Sequence, residues 1–310
     1  VAAPAPPPSG ESAGGRERLR GVIPPLVTPF LPDGGLDLAS FEANLESLGE
    51  FDLAGYVVLG SNGEAASLEE DEKLALLRAA RKHARGRVLL AGTGLESTRG
   101  TIALTRKAAD AGVDMALVLT PCYYKPQMSL DALRRHFEAV AEASPIPVLL
   151  YSVPVFTGIP WPVGLAPSLA SNPRILGMKE SSGDLGLMGR IVASVPSSFA
   201  VLCGSGPVFY PALCVGSPGG VLAVANCAPR PVSAIYRAFE SGDHARARRL
   251  QEAMAPLAVA VTATHGVAGL KVAMDLAGRR GGAVRSPLLP ASPSLGDELR
   301  PLLERAENAV

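Results

Sequence analysis

Val148-Leu149-Leu150-Tyr151 places four apolar or aromatic residues in succession, and Val88-Leu89-Leu90-Ala91 does the same earlier in the chain. A strand covered on both faces loses the apolar–polar alternation of a half-solvated sheet, so both runs predict buried parallel strands. Working outward, comparable β-prone runs begin near Val22, Gly55, Arg87, Met115, Val148, Arg174, Ala200 and Gly219. Their spacing is mostly 25 to 33 residues, shortening at the end, which fits a strand, a loop, a helix and a return loop. Helix signatures fill the intervals. Ser67-Leu68-Glu69-Glu70-Asp71-Glu72 predicts an N-cap serine and an acidic first turn, with Leu74, Leu77, Ala80 and Ala84 as the apolar stripe. Ser129-Leu130-Asp131 opens another helix, with Leu133, Phe137 and Val140 on one face. Eight such units in series predict an α/β chain folded as a (β/α)8 TIM barrel rather than an open doubly wound sheet. Gly92-Thr93-Gly94 is only a fragment of a dinucleotide fingerprint, since Ser97 stands where its last glycine belongs and the acidic partner is missing.

The barrel is expected over residues 21–227. From Ala228 the strand rhythm stops, and Arg230 to Glu240, Asp243 to Ala263, Gly266 to Ala277 and Leu295 to Asn308 read as helices, so 228–310 is expected to be a C-terminal helical region. Residues 1–20, rich in Ala, Pro, Gly and Ser and closing on Arg16, Arg18 and Arg20, are expected to be a disordered leader.

Composition narrows the function. The 310 residues carry 29 basic and 29 acidic side chains, a net charge of zero, which gives no electrostatic basis for a nucleic acid or an anionic membrane as partner. No apolar run reaches the length of a membrane span. Cys122, Cys203, Cys214 and Cys227 show no CxxC spacing and read as free thiols. The four histidines form no HxxxH or HExxH pair, so neither a protein-bound metal nor another cofactor is expected.

Lysine is scarce, with Lys73, Lys82, Lys107, Lys125, Lys179 and Lys271 the full set. Lys73, Lys82 and Lys107 sit among charged helical neighbours, Lys125 follows two tyrosines in a turn, and Lys271 falls in a helical stretch. Only Lys179 closes a strand, at the end of Arg174-Ile175-Leu176-Gly177-Met178-Lys179. An amine at the mouth of a buried strand is a candidate nucleophile for a carbonyl, because lost hydration disfavours the charged form of an amine. A strand-end cation with its stem packed and its head in water is the competing reading. In a barrel the C-terminal strand ends converge on one mouth. That gathers Gly60-Ser61-Asn62-Gly63-Glu64, Thr120-Pro121-Cys122-Tyr123-Tyr124-Lys125-Pro126, Tyr151-Ser152-Val153-Pro154, Lys179, Cys203-Gly204-Ser205-Gly206 and Ala225-Asn226. One amine, several hydroxyls and Gly-rich turns are the parts of a Schiff-base site for an oxo acid. Taken singly, Tyr151 also reads as a packed strand-end aromatic, Ser61 and Asn62 as turn residues, Tyr123 as interface packing and Glu64 as a structural acceptor.

The order GSNGE (60–64), TPCYYKP (120–126), YSVP…TG (151–158) and GMKESSGD (177–184) resembles the dihydrodipicolinate synthase / N-acetylneuraminate lyase superfamily of class I aldolases. The stretch Leu90 to Thr98, Cys122 within the tyrosine motif and Ser144 to Val148 resemble its mitochondrial 4-hydroxy-2-oxoglutarate aldolases most. The resemblance implies that Lys179 forms an imine with the C2 ketone and that Tyr151 shuttles protons. It implies that Ser61 links Tyr151 to Tyr123, which reaches into a neighbouring subunit. Ser61 and Asn62 would donate to the C1 carboxylate, Ser181 would contact the variable end of the substrate, and Gly204 and Val221 would line the imine pocket with backbone. The implied activity is cleavage of 4-hydroxy-2-oxoglutarate to pyruvate and glyoxylate by a homotetramer, a dimer of dimers, in mitochondria, or in the cytoplasm of a bacterial source. The alternatives are another pyruvate-dependent lyase or dehydratase of the superfamily, dihydrodipicolinate synthase among them, and a non-catalytic barrel. In the dipicolinate-forming synthases the loop after Tyr-x-Val-Pro carries an arginine for the second substrate's carboxylate. Here that place holds Phe156, so a bidentate contact is lost.

Overall fold

A computed structural model describes residues 16–310. Eight parallel strands run in the order β1-β8-β7-β6-β5-β4-β3-β2. They are β1 (Gly21–Ile23), β2 (Gly55–Val58), β3 (Val88–Gly92), β4 (Met115–Leu119), β5 (Val148–Ser152), β6 (Ile175–Glu180), β7 (Ala200–Cys203) and β8 (Gly219–Val221). The seam between β1 and β2 closes through the Pro25–Val57 bridge, the Ala54 N–H to Val22 O bond at 2.9 Å and the Leu26 N–H to Val57 O bond at 2.8 Å. The chain is therefore the expected TIM barrel, and each strand begins within one residue of its predicted start.

Helices α1 (Leu38–Leu48), α2 (Glu70–His83), α3 (Thr98–Asp110), α4 (Leu130–Ala143), α5 (Leu165–Leu169), α6 (Leu185–Ser194), α7 (Phe209–Cys214) and α8 (Pro229–Glu240) follow the strands in turn. The α8 helix sets Ser233 Oγ on the Asp52 carbonyl at 3.0 Å and Tyr236 beside Gly21, so it packs against the β1–β2 side of the barrel. Three further helices, α9 (His244–Val259), α10 (Gly266–Leu276) and α11 (Leu295–Asn308), form the C-terminal extension. The apolar side chains divide between two layers, as a barrel requires. Ile23, Val57, Leu90, Leu117, Leu149, Tyr151, Leu202 and Val221 fill the interior. Val22, Val58, Leu89, Val118, Leu150, Met178 and Val201 face the helices instead.

Two local expectations are corrected. The α2 helix does not start on Ser67, which ends a 3-10 turn over Ala65–Ser67; the Glu69 N–H is capped by the Glu72 carboxylate at 2.9 Å. Of the expected stripe, Leu77, Ala80 and Ala84 are buried and Leu74 is only partly covered, while Leu76 and Ala79 are buried beside them. The expected leader also ends too late. Residues 1–15 lie outside the described residues, but Leu19 is fully buried within the interior cluster. Arg18 pairs with Asp114 and Arg20 with Glu240, both at 2.6 Å, so residues 16–20 are tied to the barrel.

Candidate active site

Lys179 owes its direction to one extra residue. Val148 pairs with Ile175 but Leu149 pairs with Gly177, so Leu176 bulges out of the ladder. Beyond the bulge, Lys179 stands opposite Tyr151, on the face that Leu149 and Tyr151 turn to the interior. Without it Lys179 would meet Ser152 and point at the helices, since a one-residue slip exchanges the two faces of a strand. The bulge thus turns the Lys179 side chain into the barrel mouth.

Lys179 is 4% exposed and Tyr151 5%. The Lys179 ammonium donates to Tyr151 Oη at 3.2 Å and lies 4.3 Å from the centre of the same ring. Tyr151 Oη in turn lies 3.3 Å from Ser61 Oγ. An amine, a phenol and a hydroxyl therefore form one hydrogen-bonded line across the ends of β6, β5 and β2. Ser61 is held by a 3-10 turn, Ser61–Gly63, closed by the Gly63 N–H to Gly60 O bond and by Thr28 Oγ1 on Gly63 O at 2.7 Å. Asn62 rides half-buried on the same turn.

Ser181 and Gly204 meet on the opposite side. The Gly204 N–H donates to Glu180 O at 2.7 Å, and a Cβ at Gly204 would stand 1.9 Å from Ser181 Oγ, so only glycine lets the β6 and β7 ends approach this closely. Ser181 Oγ is buried against Gly204 and makes no hydrogen bond. Val221 lies in register with Ile23 on β8 and belongs to the interior cluster. Glu180 turns outward behind the site, where burial raises its carboxyl pKa while the Ser182 N–H, at 2.8 Å, favours ionisation.

Tyr123 is not part of the line within one chain. It is 77% exposed, with its ring edge-on to Tyr124 at 5.0 Å. What fixes it is Glu96, inside the stretch Leu90 to Thr98, for which no role was expected. One Glu96 oxygen accepts from the Cys122 and Tyr123 N–H groups at 2.9 and 2.7 Å, and the other from the Cys122 thiol. Burial opposes ionisation of Glu96, yet these donors hold its pKa below the usual glutamate value. The thiol moves the other way, raised by burial and by the adjacent carboxylate. Phe156 sits on a helical turn, Pro154–Thr157, at the rim, 63% exposed, with Val155 beside it at 78%. Among the described residues no cluster of His, Cys, Asp and Glu is arranged to hold a metal ion, and no helix is long and apolar enough to cross a membrane.

An inward lysine with a tyrosine hydroxyl in reach, at the top of a (β/α)8 barrel, defines a class: the lysine-dependent aldolases and lyases. A model of the Dihydrodipicolinate synthetase family matches residues 18–306, and the chain belongs to that family. It is 37% identical over 289 residues to the 4-hydroxy-tetrahydrodipicolinate synthase of Methanoculleus marisnigri, covering 92% of this chain and 98% of that protein. Among solved structures, a dihydrodipicolinate synthase from Thermotoga maritima superposes with a TM-score of 0.89 at 29% identity, over 94% of this chain and all of that one. YagE, a prophage protein of the same family from E. coli K12 solved in complex with pyruvate, gives 0.85 at 31% identity, over 93% and 98% of the two chains. The protein is thus an enzyme of the pyruvate-dependent class I aldolase and lyase superfamily. None of these relatives is named a 4-hydroxy-2-oxoglutarate aldolase.

Proposed function

We propose that Lys179 forms an imine with a 2-oxo acid and that the chain cleaves 4-hydroxy-2-oxoglutarate to pyruvate and glyoxylate. The amine attacks the C2 ketone, and Tyr151 carries the proton that leaves the carbinolamine with water. Tyr151 then takes the C4 hydroxyl proton, the C3–C4 bond breaks, and its electron pair flows into the iminium. Glyoxylate leaves, the enamine is protonated at C3, and water releases pyruvate. Ser61 relays protons, Ser61 and Asn62 bind the C1 carboxylate, and backbone at Gly204 and Val221 lines the pocket. Tyr123 completes a neighbouring subunit's relay within a homotetramer.

Phe156 is the observation that carries this choice of substrate. Aspartate semialdehyde, the second substrate of a synthase, bears its carboxylate three carbons from the aldehyde, far enough out to need a cation at the rim. An apolar, exposed ring stands there instead. Glyoxylate bears its carboxylate on the aldehyde carbon itself, nearer the imine, and the unpartnered Ser181 hydroxyl would meet it by turning out of its buried place against Gly204. The second reading, a 4-hydroxy-tetrahydrodipicolinate synthase, is favoured by the names of the curated relatives. The aldolase reading carries a mitochondrial location with it, to which relatives from bacteria and archaea lend no support.

Coupled assays on one preparation decide between them. Pyruvate release from 4-hydroxy-2-oxoglutarate, with no condensation of pyruvate and aspartate semialdehyde, is the expected result. Phe156→Arg should then raise turnover with aspartate semialdehyde by about tenfold, the scale of one charge-assisted contact. Efficient condensation by the unaltered chain would transfer the assignment to the synthase.

A further inference from the structure

Lys271 is as deeply buried as Lys179, at 2% exposed, yet stands on α10, outside the barrel. Its ammonium lies 2.6 Å from Glu64 Oε1, and both side chains are almost wholly shielded from water. It also donates to the Ala283 carbonyl and lies 4.8 Å from the centre of the Phe30 ring. Burial pulls its pKa below the usual lysine value, against the pull of Glu64. The other Glu64 oxygen accepts from the Arg285 N–H at 2.8 Å. Arg285 grips Glu72 through both terminal guanidinium nitrogens at 2.6 Å, reaches the carbonyls of Gly34 and Ser67, and lies 4.1 Å from the centre of the Phe30 ring. The C-terminal extension is thereby fastened to the β2 loop by charge, in a place where packing alone would serve as well or better.

The residue so fastened caps the Ser61 turn at its C-terminal end. Glu64 has φ 52° and ψ 37°, a left-handed conformation that costs a side-chain-bearing residue energy, and its N–H closes the turn on Ser61 O at 3.1 Å. An anchor at Glu64 therefore fixes the turn that aims Ser61 Oγ at Tyr151. We infer that the Lys271–Glu64 pair is a positioning device for the Ser61 hydroxyl, through which the C-terminal extension sets the efficiency of the proton relay. The inference rests on the imine reading of Lys179 and Tyr151. Neither Lys271 nor Glu64 touches the substrate; they act through the turn.

The test measures turnover per Lys179 that pyruvate and borohydride can trap, so that unfolded molecules do not count. Lys271→Met should lower this per-site kcat about tenfold and raise KM by a smaller factor, because the turn carries both the relay hydroxyl and, with Asn62, the donors to the C1 carboxylate. In a Ser61→Ala background Lys271→Met should cost nothing more, because the hydroxyl it positions is gone. Lys271→Met/Glu64→Leu should recover the melting temperature lost by the single variant, having no unpaired buried charge, yet stay as slow per site. The double variant also supplies the reading if the single one does not fold. Per-site kcat unchanged in Lys271→Met or in the double variant, or an equal loss with and without Ser61, overturns the inference and leaves the pair a purely structural one. Absence of any pyruvate adduct on the unaltered protein overturns the functional reading itself, and the positioning role falls with it.

Discussion

His136 makes a stability prediction whose size follows from its surroundings. It lies on α4, 6% exposed, with Nδ1 at 2.9 Å from Thr98 Oγ1 at the start of α3 and its ring edge-on to Phe137 at 5.2 Å. Burial pushes its pKa from 6.5 down to about 4. The unfolded chain therefore binds a proton that the folded chain refuses between these values, and stability rises with pH across that window. His136 contributes fully above pH 6.5, and its contribution is lost as pH falls toward 4. A displacement of about 2.5 pH units corresponds to roughly 3 kcal/mol in all, of which about 2 kcal/mol is gone by pH 5. The perturbation is His136→Gln, which cannot titrate. Urea unfolding of both proteins at pH 7.5 and 5.0, at one protein concentration, gives the double difference. The unaltered protein should lose about 2 kcal/mol more than His136→Gln over this interval. Equal losses would refute the assignment of a neutral, desolvated imidazole. Thr98 lies two residues after Glu96, so acid should loosen the Tyr123 loop before the barrel core.

Two further perturbations address the rim. Gly204→Ala brings a methyl group to within 1.9 Å of the present position of Ser181 Oγ. It should cost about 1–3 kcal/mol of stability by overpacking and raise KM for the oxo acid; an unchanged urea midpoint and KM would show that Ser181 is not held there. Glu96→Ala removes the acceptor of two loop N–H groups, and hydrogen exchange at Cys122 and Tyr123 should accelerate by at least about fivefold, as a loss of 1–3 kcal/mol requires. Unaltered protection at both amides would mean that the loop is held by other contacts.

The strands were legible because parallel strands of a barrel are covered on both faces and write themselves as unbroken apolar runs, as at Val88 and Val148. Lys179 was legible as the strand-ending lysine, but the Leu176 bulge that turns it inward leaves no mark in the same run. The α2 start was misplaced because its N-cap is Glu69, in a reciprocal capping box with Glu72, whereas serine is the commoner cap and drew the expected start to Ser67. Leu19 was hidden by the low-complexity stretch before it. Lys271 did leave a signal: Gly269-Leu270-Lys271-Val272-Ala273-Met274 is apolar all round its single cation, and such a helix is buried. Ser61, Asn62, Ser181 and Gly204 took their meaning from motif order, since each alone is an ordinary turn residue.

Reduction of the pyruvate complex with borohydride, followed by peptide mass spectrometry, tests the central claim most directly. Two buried amines compete for the label, Lys179 beside Tyr151 and Lys271 beside Glu64. A single reduced pyruvyl adduct on Lys179, abolished with turnover in Lys179→Arg, is the predicted result. An adduct on Lys271, or no adduct while 4-hydroxy-2-oxoglutarate is still cleaved, would contradict it.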